Sequence, residues 1–299
     1  QARSIDEIEG DMRQEAPMLR LLQGDVGSGK TLVALMALLV AVEAGAQGAL
    51  LAPTEILARQ HYDNLSRMLA GLPVTIAVLT GREKGKAREA VLMDLASGAI
   101  DILIGTHAIF QEAVTYRKLG LAVVDEQHRF GVAQRLMLAS KAEHPPHLLV
   151  MTATPIPRTL TLSQYGEMEV SRLDEMPPGR QPIETRVMSV DRLDEIVEAL
   201  GRHIAGGGQA YWVCPLVEES ETSDQAATEA RAATLRQRFG EKAVGLVHGR
   251  MKGPERDVVM GAFAASQTQV LVATTVIEVG VDVPNATLMI VEGAERFGL

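Results

Sequence analysis

Residues 24–31 read Gly-Asp-Val-Gly-Ser-Gly-Lys-Thr, a full G-x-x-x-x-G-K-[ST] phosphate-binding pattern, and it constrains the fold more than any other stretch of the chain. A glycine-rich turn can match this pattern by accident. Here the apolar run Leu19–Leu22 precedes it and the helical stretch Leu32–Val42 follows directly, which is the strand–loop–helix setting the pattern needs. The glycines let backbone N–H groups close around phosphate oxygens, and the helix N-terminus adds a favourable dipole. Gly24, Asp25, Val26, Gly27, Ser28, Gly29, Lys30 and Thr31 are therefore expected to hold a nucleoside triphosphate. Lys30 would reach the β and γ phosphates, and the Thr31 hydroxyl would ligate Mg²⁺.

A chain of 299 residues is long enough for two domains, and 46% hydrophobic with 22% charged residues is ordinary for globular cores. Aromatics make up only 3%, so those cores must come from Leu, Val, Ile, Ala and Met. The longest apolar stretch, Leu32–Val42, is too short to span a bilayer. No charged-then-apolar signal segment opens the chain, so the expectation is a cytoplasmic protein with no membrane partner. Cys214 is the only cysteine, which excludes an internal disulfide and a thiolate metal cluster, and its apolar surroundings point to an inert core position. The net charge of −9 argues mildly against a protein coated in nucleic acid but leaves room for a local phosphate-binding groove. Arg82, Lys84, Lys86 and Arg88 form such a basic cluster, or simply a solvated helix start.

Short, nearly continuous apolar runs alternate with helical spacing. Strands are expected at Leu19–Leu22, Ala49–Ala52, Val74–Leu79, Ile102–Ile104, Leu121–Val124 and Leu148–Met151, with helices at Glu55–Leu69 and Lys86–Leu95. This is the pattern of a parallel sheet covered on both faces, whose ligands sit at the carboxyl ends of the strands. The segment Asp174–Arg180, with two prolines and a glycine, reads as a linker, and the expected domains are 1–173 and 183–299 with 174–182 between them. The second domain repeats the alternation: Ile183–Val190, a helix Asp191–Ile204, Ala210–Val217, a helix Thr228–Phe239, Val244–Val247, Pro254–Ala265, Val270–Ala273 and Thr287–Val291. The second unit reads as truncated, as if the chain were excerpted from a longer protein.

Asp125 and Glu126 follow the apolar strand Leu121–Val124, the place for the second half of a phosphate-loop site. Asp125 would hold Mg²⁺ and Glu126 would position the attacking water. His61 reads as a surface residue, and His144 and His147, flanking Pro145-Pro146, as markers of a loop. Arg129 and Arg158 could face either nucleotide or DNA.

Four stretches together carry a family resemblance: Gly24–Thr31, Ala52-Pro-Thr-Glu-Ile-Leu-Ala-Arg-Gln60, Asp125–His128 and Thr152-Ala-Thr-Pro-Ile-Pro157. They resemble the motif series of superfamily 2 helicases. More narrowly, Asp125–Arg135 and Tyr165-Gly166 leading to Asp174–Arg180 are similar to the RecG family of branched-DNA helicases, while Thr152–Leu160 and His128–Val132 are shared with transcription-repair coupling factors. The resemblance implies an α/β protein of two RecA-like P-loop domains, working as a monomer with ATP and Mg²⁺ to move along branched DNA through backbone contacts. It implies an adenine-reading role for Gln1. Thr54 and Thr106 would contact the nucleic-acid backbone, with His107 a weaker candidate beside them. Gln127 and His128 would link the γ-phosphate to the nucleic-acid side, and Thr152 and Thr154 would couple the domains. In the second domain His248, Arg250, Thr274 and Thr275 match backbone contacts, and Gly280 and Asp282 match residues lining the nucleotide site. The family's cleft-crossing arginine falls beyond Glu295–Leu299, which leaves an ATP-gated DNA clamp without turnover as the rival reading for this stretch. A protein-translocating motor on the same fold fits Asp125–Arg135 less well.

Overall fold

The structure is a computed structural model that describes residues 1–111, 113–125, 145–154, 168–175, 182–215, 221–251, 253–274, 283 and 285–297. The chain divides into two compact units, Gln1–Pro182 and Ile183–Leu299.

The first unit carries α1 (Ala2–Met12), β1 (Leu19–Gly24), α2 (Lys30–Glu43), β2 (Gln47–Leu51), α3 (Glu55–Met68), β3 (Ile76–Leu79), α4 (Gly85–Ser97), β4 (Ile102–Gly105), β5 (Leu119–Asp125), β6 (His147–Thr152) and β7 (Glu169–Leu173). Its strands form one seven-stranded parallel sheet in the order β3-β4-β2-β5-β6-β1-β7. Strand residues alternate between two cores. Leu22, Leu50, Ile104, Val123 and Met151 point to one face and pack on the helix residues Ile8, Val33, Leu38, Leu57 and Leu65. Leu21, Ala49, Leu103, Val124 and Val150 point to the other, against Leu95, Ile109, Phe110 and Tyr116. Both faces are dry, which is why the strands read as continuous apolar runs instead of alternating ones. Helix α2 is apolar nearly all round and buries Val33, Ala34, Leu35, Ala37, Leu38 and Ala41. Removing a side chain such as Leu38, which is fully buried, is worth about 2–5 kcal/mol in a core of this kind.

The second unit carries α5 (Leu193–Ala205), β8 (Gln209–Cys214), α6 (Glu221–Phe239), β9 (Val244–Val247), α7 (Gly253–Ala264), β10 (Val270–Thr274) and β11 (Ala286–Val291). Its four strands are also parallel, in the order β11-β8-β10-β9. Trp212, Cys214, Val244, Val270 and Val272 pack with Leu200 of α5 and Ala232 and Leu235 of α6. On the other face Tyr211 meets Phe263 of α7 edge-on at 5.0 Å between ring centroids. Arg231 stacks over the Trp212 ring and forms a fork with the Glu292 carboxylate, which also accepts from the Trp212 indole N–H. Burial pushes the Cys214 thiol up to about 11, so the inert core position expected for it is found.

Several elements differ from the sequence expectation. The segment 182–189 is not a strand; Ile183 and Val187 stand exposed, and no neighbouring strand among the described residues pairs with them. Helix α1 and edge strand β7 were not anticipated. They are joined by Arg20 of β1, a buried cation that donates to Asp11 at 2.7 Å and to Ser171 at 2.8 Å and lies 3.4 Å from Glu7. His147 does not mark a loop. It opens β6, and its Nδ1 accepts from the Met18 backbone N–H at 2.9 Å, fixing the start of β1 beside β6. Burial holds this imidazole below its ordinary pKa, against the opposing pull of Asp11. Among the described residues no helix is long and apolar enough to cross a membrane.

Candidate nucleotide and nucleic-acid site

Strand β1 ends at Gly24 and delivers the chain into a tight loop before α2 begins at Lys30. A Cβ on Gly24 would lie 2.6 Å from Ser28 Oγ and 2.8 Å from Leu173 Cβ, so only glycine fits between the loop and β7. Gly29 caps α2 with φ +93°, a region L side chains avoid. The Gln1 side-chain amide donates to the Ser28 carbonyl at 2.9 Å, so Gln1 sits on the loop itself. Asp25 accepts from the Val26 N–H at 2.7 Å.

Two details suit a phosphate-bearing ligand. Lys30 Nζ is folded onto the Gly24 and Asp25 carbonyls at 2.6 and 3.0 Å, which keeps its charge over the loop. Ser28 Oγ is buried and has no hydrogen-bond partner among the described residues. Thr31 follows in the first turn of α2 and is half-buried, beside exposed Leu32.

Asp125 ends β5, and strand alternation turns its carboxylate to the same face as Val123, the face that α2 and α3 cover. Strand β6 lies between β5 and β1. At about 4.8 Å per strand, Asp125 and the loop therefore start roughly 10 Å apart along one sheet edge. Thr152 and Thr154 occupy the strand end between them. Their hydroxyls lie 2.9 Å apart, and Gln23 of β1 donates to the Thr154 carbonyl at 3.1 Å.

Asp125 is not alone. His61 Nε2 lies 2.8 Å from Asp125 Oδ2, with both side chains largely buried. This corrects the surface reading of His61. The residue falls on the buried stripe of α3 with Leu57, Ala58 and Leu65, a helical spacing that could have marked it.

The residues expected to touch nucleic acid fall at strand ends. Thr54 is buried and caps α3, its Oγ1 accepting from the Leu57 N–H at 3.2 Å. Thr106 is buried after β4, and His107 beside it is exposed. In the second unit Thr274 ends β10, buried, with a hydroxyl that finds no partner among the described residues. His248 follows β9 with Nδ1 likewise unpartnered, and Arg250 is exposed beyond it. His248 and Arg250 line a cavity of about 720 Å³ together with Arg236, Lys242, Met251 and Thr268. The cluster at 82–88 is partly internal: Arg82 donates to Glu55 at 3.1 Å and Arg88 to Gln111 at 3.0 Å, while Lys84 and Lys86 stay exposed. Between them Glu83 ties Thr80 to Arg59. Burial works to raise its pKa, but the hydrogen bonds from Thr80 and Arg59 win and hold it below the ordinary carboxylate value. Glu126, Gln127, His128, Arg129, His144, Arg158, Thr275, Gly280 and Asp282 lie outside the described residues. Among the described residues no group of three or more His, Cys, Asp or Glu could hold a metal ion.

Residues 1–162 match the family model described as DEAD/DEAH box helicase, and residues 190–296 match the helicase conserved C-terminal domain. The chain is 52% identical, along its whole length, to proteins named ATP-dependent DNA helicase RecG from Pasteurella multocida and Escherichia coli K12. It spans 44% of the length of those relatives. A solved structure titled as RecG bound to a three-way DNA junction superposes on 96% of this chain, and 37% of its own, with TM-score 0.80 and 42% identity. The S. cerevisiae Dbp5 structure bound to RNA and ADP BeF3 shares the fold at TM-score 0.69 and 17% identity, over 96% of this chain and 73% of that one. Both units thus have the RecA-like parallel-sheet architecture of helicase domains, and helicase domains of this kind bind ATP.

Proposed function

The chain belongs to the DEAD/DEAH box helicase family, and on that premise we propose that it is the ATP-driven motor of a helicase that remodels branched DNA. The observation that carries the branched-DNA part is the 52% identity, over the whole length of this chain, to relatives named RecG. Mg²⁺–ATP, when bound, supplies a γ-phosphoryl group for transfer to water. The chain's own residues bind and orient. Loop amides and the α2 N-terminus would cradle the phosphates, Lys30, now on the Gly24 and Asp25 carbonyls, would neutralise them, and the Ser28 hydroxyl, which has no partner among the described residues, would donate to them. Thr31 and Asp125 would hold the cation, Gln1, whose amide donates to the Ser28 carbonyl of the loop, would read the adenine, and Glu126 would orient water. The family resemblance gives Gln127 and His128 the role of relaying the γ-phosphate state toward DNA, and Gly280 and Asp282 a role in nucleotide binding.

DNA is held by its backbone. Thr54, Thr106 and His107 on the first unit, and His248, Arg250, Thr274 and Thr275 on the second, offer hydroxyls, amides and one cation. Such groups grip phosphates without reading bases. The test is ATP hydrolysis by the full-length protein with a three-way junction, with linear duplex and without DNA. Junction DNA should stimulate most, and Lys30→Ala should lower turnover by roughly 10²–10³-fold. Equal stimulation by linear duplex would sink the branched-DNA reading, and parent-like hydrolysis by Lys30→Ala would sink the nucleotide site.

A further inference from the structure

The contact between His61 and Asp125 joins two parts of the molecule that the site assignments treat separately. His61 sits two turns into α3, whose first N–H groups are capped by Thr54, a residue assigned to the DNA backbone. Asp125 sits at the tip of β5, assigned to the cation. Helix α3 packs on the same sheet face that the Asp125 side chain enters, and Leu57, Ala58 and Leu65 lock it there, fully or nearly fully buried. The helix that carries the largely buried imidazole is therefore held in place by packing.

An ionised carboxylate only accepts hydrogen bonds, so the ring nitrogen 2.8 Å away, Nε2, is the one that carries hydrogen. The bond engages Oδ2 and leaves Oδ1 for a cation. We propose that His61 is a positioning residue for the divalent cation: its Nε2–H bond fixes the Asp125 carboxylate, and α3 ties that fixation to the strand end where Thr54 meets DNA. A carboxylate that ligates metal is commonly oriented in this way by a hydrogen bond from a neighbour, and losing such a partner weakens metal affinity by about 10–100-fold. Without the bond, a carboxylate on a strand tip samples other rotamers and part of the cation's binding energy is spent ordering it.

The inference rests on Asp125 being the cation-holding carboxylate, so the test carries a control for that reading. In the full-length protein, binding of a fluorescent ATP analogue is titrated with Mg²⁺ and also measured in EDTA, for His61→Leu, His61→Gln, His61→Asn and Asp125→Asn. Leucine fills the space without a donor. Glutamine places an N–H near the position of Nε2, and asparagine keeps polarity but falls short. His61→Leu and His61→Asn should raise the half-saturating Mg²⁺ concentration by about 10–100-fold while leaving EDTA affinity, set by the phosphate loop, unchanged. His61→Gln should restore most of the parent Mg²⁺ dependence. Should His61→Leu fail to fold, the contrast between Gln and Asn decides the matter alone. Parent-like Mg²⁺ dependence in Leu and Asn, equal losses with and without Mg²⁺, or no rescue by Gln would each overturn the proposal. If Asp125→Asn itself leaves the Mg²⁺ dependence unchanged, the cation site is misassigned and the underlying reading fails first.

Discussion

Gly29 shows how much of the proposed nucleotide site is settled by one backbone angle. Its φ of +93° puts it where an L side chain is strained, and a Cβ there would overlap the Gln1 amide that donates to Ser28. The two effects separate experimentally. Gly29→Ala should lower stability and weaken ATP binding, the backbone part alone being worth about 1–2 kcal/mol. Adding Gln1→Ala removes the overlap but not the strain, so the double variant should remain destabilised by a similar amount in thermal unfolding. A double variant that returned to the parent melting temperature would show that the overlap, not φ, was responsible. Glycine and lysine positions of this kind are legible in sequence because local spacing alone defines them. His61 was not, because its role needs a partner 64 positions away at the end of another strand. Read along the chain it is one histidine beside Tyr62 and Asp63; read around the helix it belongs to the buried stripe of Leu57, Ala58 and Leu65.

At the scale of elements, the two units share a device. After α2 the chain runs Ala44-Gly-Ala-Gln47 into β2, and after α5 it runs Ala205-Gly-Gly-Gly-Gln209 into β8. Each glutamine is buried and points its amide at two backbone carbonyls. Gln47 donates to Leu95 O at 2.9 Å and Ile100 O at 2.7 Å, tying the end of α4 and the lead into β4 to β2. Gln209 donates to Phe263 O and Thr268 O, both at 2.7 Å, tying the end of α7 and the lead into β10 to β8. Replacing either by leucine keeps the bulk and strands two buried carbonyls, so Gln47→Leu and Gln209→Leu should each destabilise their unit by about 1–3 kcal/mol per abandoned group in denaturant titration. A loss near zero would mean that water replaces the amide. The repeat escapes a reading by strand and helix pattern because the surrounding residues differ and only the tertiary partners match. The same limit explains the other misses. Strands β1 to β6 were legible from short, mainly apolar runs, but β7 carries Glu169 and Arg172, and α1 has only Ile5, Ile8 and Met12 to mark its face. Conversely, Ile183–Val190 has a strand's composition and, among the described residues, no strand to join.

At the scale of the whole molecule, the proposed functional residues divide unequally between the units. Lys30, Thr31, His61 and Asp125 all belong to the first, whereas the proposed DNA contacts are split, with Thr54 and Thr106 on one unit and His248, Arg250 and Thr274 on the other. The joining stretch 182–189 has neither helix nor strand, and Val187 is 97% exposed. Backbone held by no ladder opens readily to a protease, and a protease with a taste for aliphatic residues should cut first beside Ile183 or Val187. The cut separates the two roles. The first unit should still bind Mg²⁺–ATP, because every described residue proposed to meet phosphate or cation lies within it, whereas stimulation of hydrolysis by DNA should disappear, because a strand gripped at one platform has nothing to move against. Both are measurable on the cleaved protein with a fluorescent nucleotide and a junction substrate. DNA-stimulated hydrolysis surviving in the isolated first unit would mean that DNA acts on Asp125 from within that unit, through Thr54, α3 and His61 alone, and that the second sheet serves binding and not turnover.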